Sequence, residues 1–177
     1  MKPPEIFETD RLALRKPRPE DAEAVFAEYA QDREVTKFLT WRPHENIEET
    51  REFIKTCVAD WEGGPTFTWS ITQKSANRTI GMIALRIHGF KADFGYVLAR
   101  EYWGRGVVTE ALKAVTRWAE NQPEIHRIWS VCDVENVASS RVMEKAGLEK
   151  EGVLHRWLAH PNAGEAPRDC FCYAKWT

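Results

Sequence analysis

No run of apolar residues in this chain approaches the roughly 20 that a bilayer-spanning helix needs, and the longest strand-like one, Ile80 to Ile87, falls far short. No membrane segment is expected. The opening Met1-Lys2-Pro3-Pro4-Glu5 has no basic stretch leading into an apolar one, so no secretory leader is expected and the reading is cytoplasmic. Excess charge of one sign is missing as well. The 25 Lys and Arg against 27 Asp and Glu leave a formal charge of -2, which gives no bulk positive field to hold nucleic acid or an anionic membrane. Cysteine is sparse: Cys57, Cys132, Cys170 and Cys172 lack the paired spacing of a zinc site. They are expected to be reduced, structural thiols, with Cys170 and Cys172 on one face of a strand. His44, His88, His126, His155 and His160 show no metal spacing either, and no metal is expected. Internal repeats, low-complexity tracts and linkers are also absent. What remains is an ordinary globular composition, 43% hydrophobic and 29% charged over 177 residues. That length argues for one domain over 1–177, long enough to bury a core without disulfides or metal.

Glu8 to Arg15 alternates apolar and polar residues and predicts a first strand. Pro19-Glu20-Asp21-Ala22 opens a helix whose core face is Ala22, Val25, Phe26 and Tyr29. A second helix follows the Trp41-Arg42-Pro43-His44 loop, with Ile47, Thr50, Ile54, Cys57, Val58 and Trp61 at helical spacing and Gly63-Gly64-Pro65 as its stop. Thr66 to Gln73 and Thr79 to His88 read as an antiparallel pair around the polar turn Lys74-Ser75-Ala76-Asn77-Arg78, and Ala92 to Leu98 as a third strand. A helix from about Val107 to Asn121 ends before Pro123. Ile125 to Cys132 is a strand, and Asn136 to Ala146 a short helix with Gly147 at its left-handed cap. Gly152 to His160 and Arg168 to Trp176 close the chain around the loop Pro161 to Glu165. The order β-α-α-β-β-β-α-β-α-β-β is that of an α+β or mixed α/β domain.

Chemistry concentrates between Phe94 and Leu112, where a strand, a loop Gly104-Arg105-Gly106 and a helix beginning at Val107 follow one another. Glycines let a loop backbone approach a ligand, and first-turn amides of the next helix point at an anion from the positive end of its dipole. Arg105 would add charge. An ordinary tight turn has the same two glycines. A dinucleotide fingerprint needs a third small residue where Thr109 stands, and a Walker loop needs Gly-Lys-Ser/Thr. Neither is present.

The segment resembles the acyl-coenzyme A loop of the GCN5-related N-acetyltransferase (GNAT) superfamily, in its RimJ/RimL-like branch. The resemblance covers nearly the whole chain. It includes Thr9-Asp10-Arg11-Leu12-x-Leu14-Arg15, Gly95-Tyr96-x-Leu98, Tyr102-Trp103-Gly104-x-Gly106-x-x-Thr109-Glu110-Ala111 and Asn136-x-x-Ser139-x-Arg141-Val142-x-Glu144-Lys145-x-Gly147. Gly152-Val153-Leu154, Arg168-Asp169 and Tyr173 continue it. Two positions depart from the pattern. Glu101 stands where the loop usually begins with Gln or Arg, and Met143 stands where many members carry a tyrosine general acid.

The resemblance implies a central twisted, mostly antiparallel sheet of about seven strands with helices on both faces. It implies transfer of an acetyl group from acetyl-CoA, as co-substrate, to a primary amine by direct attack. The amine would be that of a small molecule, a peptide or a protein N-terminus. It assigns Gly104, Arg105, Gly106 and Val107 to the pyrophosphate, Tyr96, Val97 and Leu98 to the pantetheine arm, and an amide near Val97 or Leu98 to the thioester carbonyl. Asn136 would fix the pantetheine end and Ser139 would protonate the leaving sulfur, as substitute for the missing tyrosine. Each has a plainer reading. Asn136 caps a helix, Ser139 is a first-turn serine, Arg141 is a solvated charge rather than a nucleotide-phosphate contact, and Asp93 is an exposed acid rather than a base. Trp41, Arg42 and Trp69, with Tyr102 and Trp103, are candidates for the acceptor pocket, though such aromatics also build cores. A homodimer is consistent with the superfamily, but no patch marks one. The competing function is a non-catalytic acyl-CoA-binding or sensing module, which the tyrosine's replacement by Met143 would suit.

Overall fold

Alternation of apolar side chains sets the centre of the fold. In the computed structural model, which describes residues 1–76 and 78–176, β3 (Thr66–Gln73) and β4 (Thr79–His88) have their predicted bounds. Asn77, in the predicted turn between them, lies outside the described residues. β5 (Lys91–Leu98) starts one residue before its predicted limit. Along β4, Ile83 and Leu85 enter a cluster with Trp69 and Ile71 of β3 and with Ala111, Leu112 and Val115 of a helix on that face. Met82 points the other way, toward Ala22, Val25 and Ile54. Period-2 side-chain geometry thus feeds helices on both faces.

The first strand departs from expectation. Ile6–Glu8 (β1) and Leu12–Arg15 (β2) form a hairpin, with Phe7 opposite Leu14, where one strand over Glu8 to Arg15 was expected. Thr9 makes the turn: its amide donates to the Leu12 carbonyl and its hydroxyl accepts from the Leu12 amide, both at 3.0 Å. Alternation continues through such a turn, so the pattern hides it. This second short strand makes the sheet eight-stranded rather than about seven, in the order β1-β2-β3-β4-β5-β6-β8-β7.

The first helix, α1 (Asp21–Val25), runs into a π-type turn, Phe26–Ala30. Ala22, Val25 and Tyr29 are buried as predicted, and Phe26 only half so. The unpredicted α2 (Arg33–Thr36) is one turn capped by the Asp32 side chain. The Asn46 side chain caps α3 (Ile47–Gly63), which buries Thr50, Ile54, Cys57 and Trp61. Then follow α4 (Val107–Glu120), β6 (Arg127–Asp133), α5 (Val137–Lys145), β7 (Glu149–Leu158) and β8 (Arg168–Trp176). Gly147 closes α5 at a φ of +88°. The four cysteines are free and buried, and burial pushes Cys57 and Cys170 up to about 11. Among the described residues no helix is long and apolar enough to cross a membrane.

One feature of the sheet positions the site. β5 and β6 are parallel neighbours, and their ladder ends at Asp93 opposite Trp129. Beyond that point the strands part, and the Ser130 hydroxyl caps the split by donating to the Phe94 carbonyl at 2.7 Å.

Candidate active site

A groove of about 620 Å³ occupies the split. Its floor is Tyr96, Val97 and Leu98 of β5. Backbone direction alternates along this strand. The Ala99 amide donates to the Ile80 carbonyl on β4, whereas the Phe94 and Leu98 carbonyls take bonds from Ser130 and from Trp103 Nε1 on the open side. Tyr96 and Leu98 therefore present their amides to the groove, and Val97 turns its own to β4. Of the two predicted carbonyl-polarising amides, Leu98 has the right direction.

One wall is the glycine loop. After the 3₁₀ turn Arg100–Tyr102, Gly104 and Gly106 take φ of +72° and +74°, a left-handed backbone that side chains disfavour. Gly106 is the N-cap of the 14-residue α4, so the Val107, Val108 and Thr109 amides have no partner within the helix. All three residues, with Gly104 and Gly106, border the groove. Arg105 does not: its guanidinium lies over the Tyr102 ring, 5.7 Å from the centroid, and its carbonyl faces Arg11. An anion at the loop would therefore be met by backbone amides and the helix dipole.

The opposite wall is α5. Its cap is Asn136, whose side-chain oxygen accepts the Ser139 amide at 3.1 Å, so the plainer reading of that residue holds while it also borders the groove. The cap fixes the turn that carries Ser139. The Ser139 hydroxyl shares a 2.6 Å hydrogen bond with the Tyr96 hydroxyl, which also donates to the Ser139 carbonyl at 3.3 Å. Burial pushes the Tyr96 phenol well above its ordinary value, outweighing the Ser139 bond. Sequence reasoning gave Tyr96 only a backbone role. The signal was its period-2 relation to Phe94, which it stacks at 6.3 Å on the face where α5 lies. Met143 is core at 1% exposure and offers nothing to the groove. Arg141 and Lys145, one turn apart and exposed, border its outer end.

Besides Arg105, four predicted residues stand outside the groove lining. Asp93 is engaged by the Arg86 guanidinium before the strands part, outside the groove lining, and so is no base for chemistry at Ser139. Trp69 is fully buried against Trp61 and donates to the Pro4 carbonyl, which makes it core rather than acceptor pocket. Trp41 packs beside His44 and on the α1 cluster, and Arg42 is exposed; neither borders the groove. Tyr102 and Trp103 do border it, together with Val35, Phe38 and Leu39 from α2 and the residues after it. That segment is pinned by Asn162 of the β7–β8 loop, whose Nδ2 donates to the Thr36 and Trp41 carbonyls at 2.8 and 2.7 Å. Among the described residues no group of three or more His, Cys, Asp or Glu could hold a metal ion.

Comparison with known proteins is consistent with this geometry. The acetyltransferase (GNAT) domain family matches residues 11–149. The uncharacterised N-acetyltransferase YoaA of Bacillus subtilis is 34% identical over 156 residues, which are 86% of this chain and 88% of that protein. The [ribosomal protein uS5]-alanine N-acetyltransferase of Escherichia coli is 26% identical, over 85% of this chain and 81% of its own. The crystal structure of a GNAT-family acetyltransferase from Bacillus anthracis superposes with a TM-score of 0.84 at 28% identity, covering 97% of this chain and 98% of the other.

Proposed function

The chain belongs to the GNAT acetyltransferase family and is an N-acetyltransferase, and on that premise we propose that the groove binds acetyl-CoA and delivers its acetyl group to a primary amine. The supporting observation is the Ser139–Tyr96 hydroxyl pair, set where the open edge of β5 meets the first turn of α5 and across the groove from the glycine loop. Acetyl-CoA would supply the activated thioester. The Val107, Val108 and Thr109 amides would take the pyrophosphate at the positive end of α4, and Arg141 with Lys145 would meet the nucleotide phosphate. The Leu98 amide would take the negative charge that develops on the carbonyl oxygen as a neutral amine attacks. The 2.6 Å hydroxyl bond to Tyr96 would orient Ser139, which would give its proton to the departing sulfur. The amine's surplus proton would leave to water, and Ser139 would take a proton back from water.

The acceptor side would be walled by Val35, Phe38 and Leu39 with Glu34 and Lys37 among them, a mixed apolar and charged surface suited to the first residues of a peptide or to an amine with an apolar body. The E. coli relative's action on a ribosomal protein alanine supports a protein N-terminus as one acceptor, in the cytoplasm. The sensing-module alternative rested on Met143, and the Ser139–Tyr96 pair supplies the donor that Met143 lacks.

The test is calorimetric titration with acetyl-CoA, followed by a panel of amines and short peptides read by release of free thiol. Micromolar binding that Gly104→Glu abolishes, with thiol release dependent on an amine, is the expected result. A folded protein that binds no acetyl-CoA would overturn the reading.

A further inference from the structure

The hairpin turn between β1 and β2 lies against the glycine loop, although nearly a hundred residues separate them in sequence. Arg11 joins the two. Its Nε donates to Glu110 Oε2 at 2.7 Å and its Nη2 meets the same oxygen at 2.6 Å, while Nη1 donates to the Arg105 carbonyl at 3.1 Å. Glu110 Oε1 accepts from the Thr9 hydroxyl at 2.6 Å and from the Arg11 amide at 3.1 Å. The Gly106 backbone passes so close that an added Cβ would sit 3.7 Å from Arg11 Nη2.

Two consequences follow for an anion in the loop. The Arg105 carbonyl lies between the two glycines, and a carbonyl turned toward a diphosphate would repel it. Bonded to Arg11, it is directed away, which leaves the following amides free to converge. Glu110 is an acid in the first turn of α4, directly behind those amides. Burial would raise it, but its bonds from Thr9 and Arg11 outweigh that and hold it ionised below its ordinary value. An unpaired negative charge there would oppose a phosphate, and the guanidinium cancels it.

We propose that Arg11, locked on Glu110, is the positioning residue of the pyrophosphate loop, holding the Arg105 carbonyl outward and neutralising the charge behind the amides. This rests on the loop being the diphosphate site, and the experiment separates the two claims. Dissociation constants are measured for coenzyme A and for pantetheine, which has the same arm and thiol but no diphosphate, with melting temperature as a check on folding. In the wild type, coenzyme A binding much more tightly than pantetheine supports the loop reading; equal affinities would overturn that reading itself. Arg11→Met is expected to weaken coenzyme A by about tenfold, since small displacements of a binding group carry such losses, and to leave pantetheine unchanged; in a Glu110→Gln background, with no lock to lose and no charge to cancel, the same change is expected to cost much less. Arg11→Lys keeps a charge on Glu110 but not the planar fork that reaches two acceptors, so it is expected to lose part of the same advantage while folding normally. Equal weakening of both ligands means a merely structural link and overturns the proposal. A loss from Arg11→Met that is just as large in the Glu110→Gln background means direct charge contact with phosphate, and overturns it as well.

Discussion

At the scale of single residues the site depends on two hydroxyls. Ser139→Ala removes the proposed proton donor and is expected to lower kcat by roughly 10- to 1000-fold while acetyl-CoA still binds, the signature of an interaction made in the transition state. Tyr96→Phe keeps the ring stacked on Phe94 and removes only the group that orients Ser139. A smaller loss, about tenfold in kcat with KM for acetyl-CoA within about twofold, is expected from steady-state kinetics. The pH profile carries a sign. Because burial raises the Tyr96 phenol above its ordinary value, it stays protonated through the range where an exposed tyrosine would ionise. The rate should therefore show no decline near pH 10 that Tyr96→Phe abolishes, and such a decline would remove Tyr96 from its role. Neither hydroxyl partnership was readable in the sequence. Ser139 stood out through its motif, but a tyrosine on a strand and a serine on a helix 43 residues later are joined only by tertiary packing.

At the scale of elements, legibility followed length and regularity. β3 and β4 carry eight and ten residues of β-branched and aromatic pattern and were readable to the residue. The β1–β2 hairpin was not, because its turn uses a threonine side chain rather than glycine or proline and leaves the alternation intact. The single-turn α2 is too short to show a period. These two short pieces matter to function: one carries Arg11 and the other leads into Phe38. The aromatic candidates Trp41 and Trp69 misled for the opposite reason, since a large ring marks burial as readily as a ligand wall. Asn162 gives the α2 wall its own test. Asn162→Ala cuts both bonds that pin the Thr36 to Trp41 stretch, at a cost of about 1 to 3 kcal/mol for any carbonyl left buried. It should raise KM for the amine acceptor several-fold while the dissociation constant of acetyl-CoA stays put. A matched rise in both would show that the wall does not act on the acceptor alone.

At the scale of the whole molecule, one buried carboxylate ties much of the larger half together. Asp21 takes bonds from Arg15, the Arg18 amide, Ser70 and Thr79, and so joins α1 to β2, β3 and β4. Burial alone would raise it, but Arg15 and the other donors outweigh burial and hold it below its ordinary value. The native form thus binds a proton more weakly than the unfolded form. Its stabilisation is complete above the unfolded value of about 3.9 and disappears as pH falls through the native one. The melting temperature should be flat from pH 7 to about 5 and then drop. Asp21→Asn should lower it at pH 7 by about 10 °C, from roughly 3 to 5 kcal/mol for breaking a buried pair, and should flatten the acid limb; an unchanged limb would assign acid sensitivity elsewhere.

The sheet itself has one short joint. β1 to β5 form one ladder and β6, β8 and β7 another, joined by the short parallel pairing of Lys91 to Asp93 with Arg127 to Trp129. Packing of α4 on α5 spans the same joint. A ligand lying between the open edge of β5 and the first turn of α5 would span it a third time, so binding and cohesion of the two halves are the same event. Amide exchange should therefore show β6 and β8 opening at lower free energy than β3 and β4 in the free protein, since the hydrogen-bonded ladder that joins them to β5 is only three pairs long. Saturating acetyl-CoA, at about 100 times its dissociation constant, adds roughly 2.7 kcal/mol to every opening that releases it. Protection should consequently rise in β6 and β8, strands whose far residues touch no ligand. Uniform protection across all four strands in the free protein would mean that the halves already act as one unit, and that the split serves only to receive the thioester.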